Sequence, residues 1–222
     1  MDLNEINIIG RKKYPHLFQP LKIKDFEIPN RLYFPPFGLN DCNDDGTPSE
    51  QTKAFFLKMS HKGVGLIILP NATVSPDSLT KSPYHLQLYN ENHANSLKDL
   101  VKRMKNLGVV PAIQLYHCGR QGLTVLTGKP VLAPSNVPHP KGLKQDPNYS
   151  IREMTSEDIE IVKNQFIYSS ALCTSVGFDF IQLHGGTGWL LNQFLSSYTN
   201  KRKDEYGGDL FKRAKFPIEV IK

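Results

Sequence analysis

The sequence predicts an α/β fold of parallel strand–helix units, arranged either as an open doubly wound sheet or as a barrel. Apolar runs of strand character alternate with segments of helical period, and a glycine stands at three successive helix exits, Gly63, Gly108 and Gly177. Four strand starts, near residues 32, 64, 109 and 178, lie about 49 residues apart on average, since 146 residues span three intervals. Eight such units require about 370 residues or more. If the units close into a barrel, 222 residues hold only its first half.

The elements follow in order. Leu17 to Ile28 reads as a hairpin, because LFQPLKI and FEI flank the turn-forming pair Lys24-Asp25. Leu32-Tyr33-Phe34 is a first short strand, halted by Pro35-Pro36, and the polar loop DCNDDGTPS leads to a cap at Ser49 and a helix over 50–62. Val64 to Leu69 is a continuous apolar run of the kind buried on both faces. A second polar loop precedes residues 91–107, where Leu97, Leu100, Val101, Met104 and Leu107 recur at helical spacing. Val109 to Tyr116 is the third strand. Residues 117–154 show no periodicity and many Pro and Gly, an excursion long enough to suggest a functional loop. Thr155-Ser156-Glu157-Asp158 forms a capping-box pattern before a helix that reaches Val176, and Phe178 to Leu183 is the fourth strand. A last helix begins near Leu210 and runs to the end at Lys222.

Composition excludes several classes. With 27 Lys and Arg against 21 Asp and Glu the net charge is +6, a mild excess that does not single out nucleic acid. The longest apolar run is six residues, far short of the roughly 20 needed to span a bilayer, and the N-terminus lacks the basic-then-apolar order of a secretion signal. Cys42, Cys118 and Cys173 are odd in number and widely separated, so reduced thiols in a cytoplasmic protein are expected, with no membrane partner. No spaced His and carboxylate set suggests a metal.

Two phosphate-loop signals fail. Gly122 to Gly128-Lys129-Pro130 is one residue too long for a Walker loop and has Pro where Ser or Thr must meet magnesium. Gly185-Gly186-Thr187-Gly188 follows a strand, but large apolar residues replace the third glycine of a dinucleotide fingerprint. Lys201-Arg202-Lys203 is followed at once by Asp204-Glu205 and reads as a solvated or salt-bridged loop. What remains is a set of polar residues at the C-terminal strand ends, where both barrels and open sheets place their sites: Gln114 with Tyr116-His117, and His184.

Five ordered segments, PHLFQPLKIKDFEIPNRL, IQLYHCGR, VLAPSNVP, REMTSEDI and IQLHGGTGWLLNQFLSSYTNKRKDEYGGD, resemble the Old Yellow Enzyme family of FMN-dependent oxidoreductases over residues 15–222, leaving 1–14 as an N-terminal extension. The resemblance implies a TIM-type (β/α)8 barrel of which the first four units are present, with the hairpin closing its floor. It also implies FMN at the upper rim, and NADH or NADPH as electron donor for a small-molecule substrate, an activated alkene or quinone-like acceptor.

The same resemblance places the flavin against Pro36, Phe37, Gly38, Asn71, Gln114 and His184, with Gln114 on the polar pyrimidine edge. His184 would hold the substrate's electron-withdrawing oxygen, and Arg120 would serve loop architecture. The sequence departs from the family pattern at three places. Thr187 stands where a His or Asn donor is usual, Trp189 where a Tyr commonly delivers a proton, and Gly38 where Thr or Cys is frequent. The family's flavin-side arginine and its phosphate loops would fall beyond Lys222. The alternative is a truncated, non-catalytic piece of that barrel without flavin binding of its own, its open strand edges inviting homo-oligomerisation.

Overall fold

A computed structural model describes residues 9–80 and 85–222, so part of the expected N-terminal extension, residues 1–8, lies outside the described residues. Its centre is a four-stranded sheet of β3 (Tyr33–Phe34), β4 (Leu66–Thr73), β5 (Val110–Tyr116) and β8 (Phe180–Leu183), all parallel and in that spatial order. The sheet is open among the described residues, with β3 and β8 at its two edges. Before it comes the hairpin of β1 (Leu21–Ile23) and β2 (Phe26–Ile28), shorter than expected because Pro15–Phe18 forms a 3-10 turn instead. Lys24 takes φ 52°, the positive value that tight hairpin turns require at their first central position. The Phe26 ring meets Phe180 at 5.3 Å, which sets the hairpin across the N-terminal end of the sheet as a floor.

Residue parity separates the two faces of the sheet. Ile67 and Leu69 of β4 and Ile113 and Leu115 of β5 point into one apolar core. Facing them are Leu97, Leu100, Val101 and Met104 of α2 (Glu91–Asn106) and Ile159, Val162 and Phe166 of α5 (Ser156–Val176), all buried. Each such side chain contributes about 1.5–3 kcal/mol when fully buried, so this face holds the sheet to its helices. Phe56 of α1 (Glu50–Ser60) and Phe216 of α7 (Leu210–Ile221) complete the layer. The opposite parity, carrying Gln114, Gln182 and Phe180, faces away from the helices. That face carries the candidate site.

The helix starts follow the capping chemistry. The Ser49 hydroxyl accepts from Thr52 N–H at 3.0 Å, and Thr155 with Asp158 forms a reciprocal capping box. Asp209 caps α7 through Lys212 N–H at 3.0 Å. Gly65 is required by close approach: a Cβ there would lie 2.8 Å from the Asn30 carbonyl, whose side chain bonds Gly63 and Gly65 and so pins β3 beside β4.

Three expectations change. The strand expected at 64–69 runs from Leu66 to Thr73, because a bulge between Leu69 and Ala72 lets Pro70 pass without breaking the pairing to β5. The fourth strand is Phe180–Leu183, two residues shorter at its start than expected. The excursion is ordered: it contains α3 (Thr124–Thr127), β6 (Val131–Ala133), α4 (Pro140–Gln145) and β7 (Ile151–Glu153), with β6 and β7 paired in parallel. Strands of three residues are too short to show a period. A further helix, α6 (Leu190–Leu195), packs against α7. No helix among the described residues is long and apolar enough to cross a membrane.

Candidate functional site

The C-terminal ends of β4, β5 and β8 converge on one rim. Gln114 and Gln182 sit opposite each other in the register, and Gln114 Nε2 donates to Gln182 Oε1 at 2.7 Å. One acceptor on Gln114 and one NH2 on Gln182 remain for a ligand carrying alternating carbonyl and N–H groups. His184 follows just past the end of β8, half-buried, and burial lowers its proton affinity below the ordinary histidine range. Gly186 N–H lies 3.4 Å from Nδ1 as a donor, and Thr187 Oγ1 lies 3.3 Å from Nε2. With Nδ1 accepting, the proton of the neutral ring sits on Nε2.

The loop after β8 is held in a demanding conformation. Thr187 has φ 52°, a left-handed value that is uncommon for a β-branched residue and stores strain of about 1–3 kcal/mol. Gln121 Nε2 donates to the Thr187 carbonyl at 3.0 Å, and Gly188 N–H donates to Asn192 Oδ1 at 3.0 Å. Gln193, buried in α6, bonds three backbone groups: Nε2 donates to the Cys118 carbonyl at 3.0 Å and the Gly188 carbonyl at 2.7 Å, while Oε1 accepts from Arg120 N–H at 3.1 Å. A Cβ at Gly119 would come within 2.2 Å of this amide, so only glycine fits. The loops after β5 and β8 are thereby locked to each other.

Trp189 stands at the start of α6 with its ring 4.8 Å from Tyr116 and 6.0 Å, edge to face, from His184. The Tyr116 side chain is fully buried, its hydroxyl 2.9 Å from His85 Nδ1, and burial raises its pKa strongly, so it keeps its proton. His117 points into the protein: Nδ1 accepts from Gly119 N–H at 3.1 Å, Nε2 has no partner among the described residues, and burial pushes its pKa down to about 4. It is a neutral structural residue.

On the other side of the rim, Pro36 is half-buried, and Phe37 and Gly38 are exposed just beyond β3. A Cβ at Gly38 would meet Asn71 Oδ1 at 3.8 Å and Asn40 Oδ1 at 3.9 Å, ordinary contacts, so these amides flank it without crowding. The recess behind Gly38 measures ≈ 20 Å³, room for one water and not for a ring system. A planar ligand would therefore lie over the open inner face.

The structure thus gathers Gly38 with Asn71, Gln114 with Gln182, and His184 with Thr187 and Trp189. Gln182, His85 and Gln193 were not anticipated. Parity with His184 would have found Gln182, whereas His85 reaches the site from a loop without a sequence pattern and Gln193 from α6, through partners distant in the chain. Arg120 does serve the loop, donating to the carbonyls of Val137 and Pro138 at 3.2 and 3.0 Å. Arg202 is buried against Asp204 and the carbonyls of Pro134 and Met154, so of the Lys201-Arg202-Lys203 cluster only the two lysines are solvated. In the Gly122–Lys129 stretch, Lys129 pairs with Asp77 at 3.0 Å.

Comparison with known proteins gives this geometry its context. The chain is 33% identical over 210 residues to an NADH oxidase of Thermoanaerobacter brockii, covering 94% of this chain and 32% of that protein. It is 33% identical over 205 residues to an NADPH dehydrogenase of Clostridium acetobutylicum, covering 92% of this chain and 58% of the relative. Among solved structures, an Old Yellow Enzyme from a Pichia species superposes with TM-score 0.87 at 27% identity, over 93% of this chain and 55% of that one. Morphinone reductase superposes with TM-score 0.82 at 26% identity, over 92% and 57%. The sheet and helices are therefore the matching part of a TIM barrel, and the chain spans a third to three fifths of the length of these relatives. With residues 16–222 matching throughout, the chain belongs to the NADH:flavin oxidoreductase / NADH oxidase family.

Proposed function

We propose that the chain supplies the rim of an FMN-dependent oxidoreductase that takes electrons from NADH or NADPH and reduces activated alkenes or quinone-like acceptors. The observation that carries this is the Gln114–Gln182 amide pair, with a neutral His184 two residues after Gln182, just past the end of β8. The residues fit the group: the pair leaves an acceptor and a donor for the pyrimidine edge of the isoalloxazine. Pro36, Phe37, Gly38 and Asn71 would border its other side. FMN, when bound, supplies hydride transfer. His184 Nε2–H would donate to the acceptor's carbonyl or nitro oxygen, holding it as negative charge builds. A neutral imidazole suits this, because it withdraws charge without surrendering its own proton. Thr187 Oγ1 shares that Nε2 and would orient the ring.

Trp189 gives no proton, since an indole N–H is far too weak an acid, and the buried Tyr116 hydroxyl keeps its own. Water is the proton source in this reading. A second reading, a flavin-binding module without ene-reductase activity, is favoured by Trp189 alone. Cys42, Cys118 and Cys173 are free, with burial pushing each thiol to about 12, which suits the reducing cytoplasm. The test is anaerobic addition of NADPH to the chain loaded with FMN. Bleaching of the flavin's visible band supports the enzyme, and an unchanged band sinks it.

A further inference from the structure

A cleft of ≈ 240 Å³ opens beside Trp189, lined by Thr80, His85, Gln121, His139, Lys141 and Gln145, and among the described residues no carboxylate lines it. It adjoins the candidate site at two points. Trp189 forms one wall and meets His184 at 6.0 Å, while His85 borders both this cleft and the recess behind Gly38. Its charge is one-sided. His139 feels the positive charges of Arg120 and Lys141. The Arg120 side chain donates to the carbonyls of Val137 and Pro138 and lies over the ring of Tyr198, none of them an acid. Asp146, on the same loop, is buried and commits its carboxylate to the N–H groups of Val125 and Asn148, both at 2.9 Å.

We propose that this cleft binds the anionic end, a phosphate or a carboxylate, of the molecule whose reacting end lies at His184. The Lys141 ammonium, the His139 imidazole and the primary amides of Gln121 and Gln145 are the kinds of donor that an oxyanion requires, and charge-assisted bonds of this kind are the strong ones. Pockets that enclose a whole ligand measure about 300–1,000 Å³. At ≈ 240 Å³ the cleft takes one end of a molecule and leaves the rest to reach past Trp189. The inference rests on the oxidoreductase reading for what lies at His184, and on the cleft itself for the anion. Two sources share the chemistry: the pyrophosphate of a nicotinamide dinucleotide, or the carboxylate of an acidic acceptor.

Trp189 is the sole tryptophan of the chain and forms one wall of the cleft, so its emission responds to an occupant there, and the Lys141 variant ties that response to the cleft rather than to His184. Inorganic pyrophosphate and glutarate, titrated separately, are the probes. At least one is expected to change the emission saturably, with Lys141→Glu weakening that affinity at least tenfold and Lys144→Glu, an exposed change outside the lining, less than twofold. A response to pyrophosphate assigns the cleft to the donor, one to glutarate assigns it to the acceptor, and one to both assigns it to the anionic group itself. No saturable response to either, or equal weakening by the two variants, overturns the proposal. Circular dichroism of both variants confirms that the fold is kept. An anion response in a protein whose FMN is not bleached by NADPH would sink the oxidoreductase reading and leave the cleft standing, whereas bleaching without an anion response does the reverse.

Discussion

Replacing Gln193 by Leu tests whether one buried amide locks the site. The substitution preserves approximate volume and apolar packing while removing three hydrogen bonds, to the Cys118 and Gly188 carbonyls and from Arg120 N–H. Each neutral bond contributes about 1 kcal/mol net, and each backbone group left buried without a partner costs about 1–3 kcal/mol. The loss should therefore be about 3 kcal/mol or more. With a urea slope of about 2 kcal/mol/M, the unfolding midpoint should fall by about 1.5 M. Trp189, four residues before Gln193 at the start of the same helix, gives the fluorescence signal. Gln193→Glu should be at least as damaging, because its carboxylate would face the two carbonyls that the amide now supplies with protons. A midpoint shift under about 0.5 M for Gln193→Leu would refute the claim that these bonds hold the loops together.

Asp158 is held well below the usual carboxylate range, first by Arg152 and then by the N–H and hydroxyl of Thr155. Its folded pKa is depressed, so its contribution is present above the unfolded value near 3.9 and is lost as pH falls through the lower folded value. Because the pair is partly exposed, Asp158→Asn should cost about 1 kcal/mol at pH 7, a difference that urea titrations should show fading below about pH 4. Gly65→Ala places a methyl 2.8 Å from the Asn30 carbonyl and should destabilise by about 1–3 kcal/mol, measured the same way. With FMN bound and the proposed activity present, His184→Ala should slow flavin reoxidation by an enone at least 10²-fold by stopped flow, on the scale of a lost oxyanion donor. Thr187→Gly should relax the positive φ and raise the urea midpoint slightly, even as it removes the hydroxyl beside His184.

The order of units was legible because their chemistry is local. Ser49, Thr155 and the Leu97–Met104 stripe act within one or two helical turns, so caps and helical faces can be read from neighbours in the sequence. Gln114 and His184 were legible as strand-end polar residues, and the structure sets them on one rim. What was hidden depends on distant partners. Pro70 and Asn71 extend β4 only because a bulge and the pairing to β5 accommodate them. The β6–β7 ladder joins residues about 20 apart through strands of three. Gln193 reads as a polar helix residue until its 75-residue reach to Cys118 is known, and Arg202 reads as surface charge until Pro134 and Met154 surround it.

The most direct test of the central claim, that this rim is a flavin face, is an equilibrium titration of FMN with the chain, followed by flavin fluorescence. The account predicts saturable quenching that Gln114→Leu weakens about tenfold, the equivalent of one hydrogen bond of about 1.4 kcal/mol. Gln114 faces the open side of the sheet beside Gln182, so the substitution leaves the helix-facing core untouched. Quenching that is absent, or that Gln114→Leu leaves unchanged, would contradict it.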